Sequence, residues 1–305
     1  MIKSLTVKNH LGKISKYVFG EVEPESGFIV TDIKGLGPAK ANINMNQLAA
    51  SDGSKFNSGQ LEGRNLVISG IFSYAPTIED ARLMSYKAFP TNKKVTITIE
   101  TDNRIGTTEG YVESNEPDVF SEQESFEISI LCESPFFIDD GPNGVKQTMF
   151  AGIEPLFQFP FGNPSLTEKQ IVFSEIVTKK ENTVYYEGDS ETGILITVHA
   201  LGTVGTMDIY NVRTREHMKI DMDKLEALTG SGMIAGDTIE ICTVRRSRRV
   251  TLIRNGRKIN ALNILGKNPD WFTLSHGDNL FTFVAEDGEE NLVFTIRSQT
   301  TFDGV

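Results

Sequence analysis

The sequence predicts a mainly β protein of two domains, with one α-helix in the first. Three observations carry this. Short runs of β-branched and aromatic residues recur along all 305 residues, each bounded by Gly, Asn, Asp or Ser. One segment, Thr77 to Pro90, carries the start and stop signals of a helix. The stretch Asp139-Asp140-Gly141-Pro142-Asn143-Gly144 packs two acids, two glycines and a proline into six residues, the strongest break in the chain. It divides the sequence into residues 1–148 and 149–305. Composition agrees: 27 glycines, and 19 phenylalanines against one tryptophan, suit a protein of many strands and turns.

The first element is Met1 to Lys8, where apolar and polar residues alternate. That is the start of a strand, without the continuous apolar run of a signal peptide. No window approaches the ~18 apolar residues of a membrane span. The chain is therefore expected to be made in a cytoplasm and to remain there or leave by lysis. Gly35-Leu36-Gly37-Pro38 has the glycines of a phosphate loop, but Pro38 removes a backbone donor and no GK[ST] follows. It reads as a turn. Ser51-Asp52-Gly53-Ser54, running on to Ser58-Gly59-Gln60, is polar and glycine-rich, and its length suggests an exposed arm or hairpin tip.

Leu66 to Phe72 and Val95 to Glu100 read as strands. In the second, Val95, Ile97 and Ile99 point one way and Thr96 and Thr98 the other. Phe126, Ile128 and Ile130 repeat the pattern before Cys132. Between the first two strands, Thr77 is a predicted N-cap, with Glu79 and Asp80 in the first turn, where the helix dipole favours acids. Ile78, Ala81, Ala88 and either Leu83 or Met84 are the predicted buried stripe, and Pro90 ends the helix.

The second domain reads as a succession of short strands: Ile171–Ile176, Thr183–Tyr186, Gly193–Val198, Thr206–Tyr210, His217–Ile220, Thr238–Val244, Arg249–Arg254, Trp271–Leu274, Leu280–Ala285 and Leu292–Arg297. Their spacing and Gly/Asn/Asp turns argue for a sandwich or barrel. Asp221, Met222, Asp223, Leu225 and Leu228 permit one short helical turn.

The chemistry-bearing residues do not cluster. Histidines 10, 199, 217 and 276 show no i, i+4 pair, and neither Cys132 nor Cys242 sits in a CxxC, so no metal site is expected. The two cysteines lie in different domains and read as buried free thiols. No GxSxG occurs. Carboxylates abound, but Asp237 and Glu240, three apart on one strand, face opposite sides. A cell-wall hydrolase thus lacks a placed acid pair. Trp271, followed by Phe272 and Leu274, reads as structural rather than as a sugar-stacking platform.

Net charge is −11, shared evenly: residues 1–150 hold 14 basic and 20 acidic side chains, the remainder 16 and 21. Such a chain does not seek nucleic acid by long-range attraction. The one concentrated electrostatic feature is Arg245, Arg246, Arg248 and Arg249, followed by Arg254, Arg257 and Lys258 with no acid among them. Its two readings are a solvated hairpin tip and a docking patch for an acidic partner. Nucleic acid is the weaker fit, because no aromatics interleave.

The order of these motifs resembles the distal tail protein family of long-tailed bacteriophages. In the first half the matching features are Ile33-Lys34-Gly35-Leu36-Gly37-Pro38, the Asp52-Gly53 loop, Arg64 to Ile68 with Gly70-Ile71, the single helix, and Cys132-Glu133-Ser134-Pro135-Phe136-Phe137. In the second they are Gly188-Asp189, Gly193, Gly236-Asp237, Asn255-Gly256, Gly277-Asp278-Asn279 and Gly304-Val305. The resemblance covers nearly the whole chain. It implies an N-terminal ring-forming domain and a C-terminal galectin-like β-sandwich arm. It further implies a homohexameric ring in the virion, made in the bacterial host cytoplasm, with the tail tube protein above and the hub or tail-associated lysin below. The arm often carries receptor-binding proteins. No enzyme activity, cofactor, metal, membrane or specific nucleic-acid partner is implied. Extended members insert carbohydrate-binding modules, for which Gly144 to Lys169 leaves no room. The alternative reading is a stand-alone carbohydrate-binding sandwich, which leaves the first half unexplained.

Overall fold

The computed structural model describes residues 1–20, 24, 26–47, 52–73, 77–120, 123–155, 174–178 and 180–305. The chain forms two units: Met1–Gly144 together with Thr301–Val305, and Val145–Thr300. The division falls four residues before the expected boundary, because Val145 to Met149 already belong to a sheet of the second unit. The last five residues rejoin the first.

In the first unit the elements are β1 (Ile2–Lys8), β2 (Ile14–Val18), β3 (Phe28–Lys34), β4 (Ala41–Gln47), β5 (Ser54–Leu61), β6 (Arg64–Phe72), α1 (Ile78–Ala88), β7 (Lys94–Thr101), β8 (Ile105–Pro117), β9 (Ser125–Cys132) and β10 (Phe137–Asp139). The main sheet runs β2-β1-β7-β8-β9-β6-β3, all antiparallel. Strict alternation builds its inner face: Leu5 and Val7, Leu66 and Ile68, Val95, Ile97 and Ile99, and Phe126, Ile128 and Ile130 are all buried. An aromatic group fills one end. The Phe28 ring stacks on Phe126 at 4.0 Å and lies 4.6 Å from Tyr17.

Helix α1 begins as the sequence predicts, with the Thr77 hydroxyl accepting from the Asp80 amide at 3.1 Å. Its buried stripe is different. Ala81, Ser85 and Ala88 face inward, while Leu83 and Met84 are exposed. The 4–3 spacing from Ala81 selects Ser85 in place of a larger neighbour, and its hydroxyl donates to the Arg82 carbonyl, so burial leaves no orphan donor.

The second unit contains β11 (Val145–Met149), β12 (Ala151–Pro155), β13 (Ser174–Thr178), β14 (Glu181–Tyr186), β15 (Thr192–Ala200), β16 (Met207–Asn211), β17 (Glu216–Ile220), α2 (Met222–Thr229), β18 (Thr238–Cys242), β19 (Arg249–Arg254), β20 (Arg257–Asn260), β21 (Thr273–Leu274), β22 (Gly277–Ala285) and β23 (Leu292–Gln299). Most of the expected strand Ile171–Ile176, and most of the Gly144–Lys169 span, lie outside the described residues or have no described side chains. One sheet runs β11-β23-β15-β18-β19-β20 and a second β14-β22-β16-β17. Their inner faces meet as a sandwich core: Ile194, Ile196, Phe294, Ile239 and Leu252 from the first, Phe281, Phe283, Ile209 and Met218 from the second. Phe283 stacks on Phe294 at 5.3 Å. The permitted helical turn is a full helix, α2, capped by the Asp221 carboxylate. The chain then returns to the first unit through β24 (Thr301–Phe302), which pairs antiparallel with β10.

Burial pushes the Tyr17 phenol up to about 12, from an ordinary value of 10.0. The folded state therefore holds this proton more tightly than the unfolded chain. The resulting stabilisation is complete below about pH 10 and is lost as pH rises toward about 12, by up to ~2–3 kcal/mol. Tyr17→Phe should flatten that alkaline limb in urea titrations at stepped pH. An unchanged limb would mean that the phenol is not desolvated in solution.

Candidate docking surfaces and the clasp behind them

The Gly35–Pro38 turn, read from sequence as a turn and nothing more, is half of a clasp. Gly35 sits at φ +88°, and a Cβ there would meet the Asn65 carbonyl oxygen at 2.1 Å, so the position requires glycine twice over. Its carbonyl points at Arg64, which is 3% exposed. Nη1 of Arg64 donates to the carbonyls of Gly35 and, at 2.5 Å, Gly37. Nη2 donates to those of Pro135 and Asp303, both at 2.6 Å. The guanidinium lies over the Phe137 ring at 4.2 Å. Burial pulls the Arg64 guanidinium below its ordinary value, partly offset by Cys132 and Asp303. Its Nε has no hydrogen-bond partner among the described residues. Burial likewise pushes the Cys132 thiol up, the state of a structural and not a reactive cysteine.

Arg64 thereby ties residues 301–305 to the rest of the first unit. The same tail is held by Arg104, whose guanidinium stacks on Phe302 at 4.3 Å and donates to Gly304 O at 2.9 Å. The Val305 amide donates to Leu36 O. Gly106 leaves the space that the Val305 side chain fills: a Cβ at Gly106 would meet Val305 Cγ1 at 2.2 Å.

The expected exposed loop is the tip of a hairpin. Asp52 and Gly53 lead into β5, which begins at Ser54, and all three are exposed; Ser51 lies outside the described residues. The two strands form a sheet of their own, exposed along its whole length. Its faces differ. The register pairs Ala41 with Leu61, Ile43 with Gly59 and Met45 with Phe56 on one side, and Asn42 with Gln60, Asn44 with Ser58 and Asn46 with Lys55 on the other. One face is therefore apolar: Ile43, Met45, Phe56 and Leu61 are 57, 52, 60 and 42% exposed. The sequence reading located the tip and missed this face, although Ala41, Ile43 and Met45 alternate with asparagines along β4; only in β5 does a bulge break the alternation.

The arginine run occupies the β18–β19 hairpin tip, as the strand–turn–strand reading expects. Cys242 pairs with Arg249, and Arg245, Arg246, Arg248 and Arg249 are all exposed. The larger basic stretch does not hold together. Arg254 is drawn out of it by Asp237, which is 2% exposed: Arg254 Nη2 lies 2.6 Å from Asp237 Oδ2, and Nε 2.9 Å from Oδ1. This bonding raises the Arg254 guanidinium. The pairing of Thr238 with Ile253 places 237 beside 254. Arg257 and Lys258 lie beyond Arg254, at the far end of β19. Trp271 is half-buried against the sandwich core, with Arg248 over its ring at 5.2 Å. Among the described residues no group of His, Cys, Asp or Glu is placed to hold a metal ion, and no helix is long and apolar enough to cross a membrane.

The architecture is that of a mainly β protein with a helix-covered sheet followed by a β-sandwich. Among solved structures it matches the SPP1 Dit (gp 19.1) protein, described as a paradigm of hub adsorption apparatus in Gram-positive infecting phages. The match covers 98% of this chain and 100% of that one, with a TM-score of 0.65 at 15% identity. This chain thus has the distal tail protein fold. Weaker matches are the phage P2 baseplate in its activated conformation with Ca (TM-score 0.48, 10% identity, all of both chains) and with Sr (0.46, 8%, 99% of both). No protein-family model and no curated protein matches the sequence.

Arg64→Lys keeps a charge but loses the planar fork, leaving carbonyls of three segments underbonded. It should cost ~2–4 kcal/mol. Hydrogen exchange at Phe302 and Val305 should rise far more than in β15. Equal exchange rises in both places would contradict a local clasp.

Proposed function

We propose that this chain is a structural component of a phage tail tip, a distal tail protein that forms a ring of six copies between the tail tube and the adsorption apparatus. The observation that carries the reading is the fold match to SPP1 Dit across both units, from one end of each chain to the other. In this reading the first unit builds the ring and contacts the tube and hub, and the sandwich serves as the arm that holds peripheral tail proteins. The protein is not an enzyme, and nothing in the geometry favours a stand-alone sugar-binding module. Trp271 packs against the sandwich core and carries the Arg248 guanidinium over its ring at 5.2 Å.

The β4–β5 hairpin supplies the ring contact. A two-stranded ribbon is marginal alone, and one with an open apolar face is a poor monomer surface. A neighbouring copy that covers Ile43, Met45, Phe56 and Leu61 gains on the order of 5 kcal/mol per arm. Cyclic symmetry lets that single heterologous contact close on itself, leaving no arm uncovered.

Ile43→Ser with Phe56→Ser tests the arm. Both side chains are exposed, so the melting temperature should stay within a few degrees of wild type. Sedimentation velocity should show assembly lost and the monomer retained. An assembled variant indistinguishable from wild type would remove the arm from the ring contact.

A further inference from the structure

Two exposed charged rows stand on the outer faces of the two main sheets, and neither row finds its counter-charge among the described residues. In the first unit the register aligns Asp32, Ser69, Glu127 and Glu116 across β3-β6-β9-β8. All three carboxylates are exposed, and none makes an ion pair. Glu127 and Glu116 are direct cross-strand partners, which places like charges on Cβ atoms ~5 Å apart, a destabilising arrangement. Lys34, two register positions along β3 from Asp32 and opposite Val67, makes no ion pair with any of them among the described residues. Glu116, Glu127 and Ser69 line a shallow open depression.

In the second unit the register aligns Arg249, Cys242, Leu195 and Arg297 across β19-β18-β15-β23. Arg297 lies 48 positions from Arg249 in sequence, so the sequence reading did not join it to the arginine run. Both arginines are exposed, and Arg245 extends the patch at the hairpin tip. Arg248, stacked on Trp271, braces the tip and lowers the ordering cost of an encounter.

We infer that the Arg245/Arg249/Arg297 patch of one copy docks on the Asp32/Glu127/Glu116 row of a second copy. The occupant is argued from charge and spacing. Each row crosses four adjacent strands, so its end charges stand three inter-strand steps apart, ~14 Å in both. Arginine forks pair bidentately with carboxylates, and such pairs set register and encounter rate. The contact joins two different surfaces and is therefore heterologous, head to tail. Nucleic acid is the poorer occupant: the chain carries −11 overall, and the tryptophan beside the patch packs partly against the sandwich core and is engaged by Arg248.

This inference goes beyond the ring reading, and its test separates the two. The variants are R245E/R249E/R297E and D32K/E116K/E127K; Arg248 is left in place to keep its packing. Sedimentation velocity over a concentration series at low salt should show self-association weakened about tenfold or more in each variant. It should be restored when the two variants are mixed, since each then supplies the other's missing complement. High salt should weaken the wild-type association in the same direction. Melting temperatures near wild type confirm that both variants are folded. Association indifferent to both reversals, or folded variants that fail to restore it on mixing, overturns the inference; so does wild-type binding of a short DNA duplex through the patch with self-association unaffected by either reversal. A ring closed by the hairpin arms and blind to the charge reversals keeps the ring reading and sinks this one. Swap-restored association in a chain that forms no ring does the opposite.

Discussion

Arg64 is the residue on which the first unit turns. A guanidinium this deeply buried is costly unless its donors are satisfied. Here four backbone carbonyls from three separate segments converge on its two terminal nitrogens. Those segments are the Gly35–Gly37 turn, the bend before β10, and residues 301–305. The arginine stands at the first position of β6, so the sheet fixes its Cα while the side chain gathers the three strands of backbone around it. The second unit is thereby an insertion: the chain leaves after β10, builds a complete sandwich and returns as β24, which pairs with β10. β11 and β23 pair where the chain enters and leaves the sandwich. Antiparallel pairs therefore stand on both sides of the junction.

With the interior closed in this way, the surfaces carry the functional argument. The β4–β5 ribbon is amphipathic yet exposed along its whole length, and it carries the proposed ring contact. The outer faces of the two main sheets carry charges of opposite sign at matching spacing. Arg254, in contrast, is committed to Asp237 and braces the hairpin from within. Seen from the sequence all the arginines of that stretch look alike. The structure sets Arg254 apart, because Asp237 lies within reach of it.

The elements set by local chemistry were legible in the sequence. The Thr77 cap, the alternation in β7 and β9, the two buried thiols and the hairpin tips follow from neighbours within a few positions. What stayed hidden depends on long-range pairing. Nothing near Arg64 announces that its partners include position 303, and nothing near Asp237 announces Arg254. Leu83 and Met84 looked better suited to burial than Ser85 by polarity, but helix phase from Ala81 decides the stripe. The apolar face of the arm is plain along β4, where Ala41, Ile43 and Met45 alternate with asparagines, and is broken up by a bulge only in β5. The site surfaces were less legible than the fold for the same reason: a docking face is a property of strand register, and register between distant strands is not written in either strand alone.

We propose that this chain closes on itself as a ring. Negative-stain electron microscopy of the purified full-length protein, at a concentration where light scattering reports assembly, tests it most directly. Class averages with six-fold symmetry around an open centre are the predicted result. A field of monomers, or of open chains with no closed class at any concentration, contradicts it.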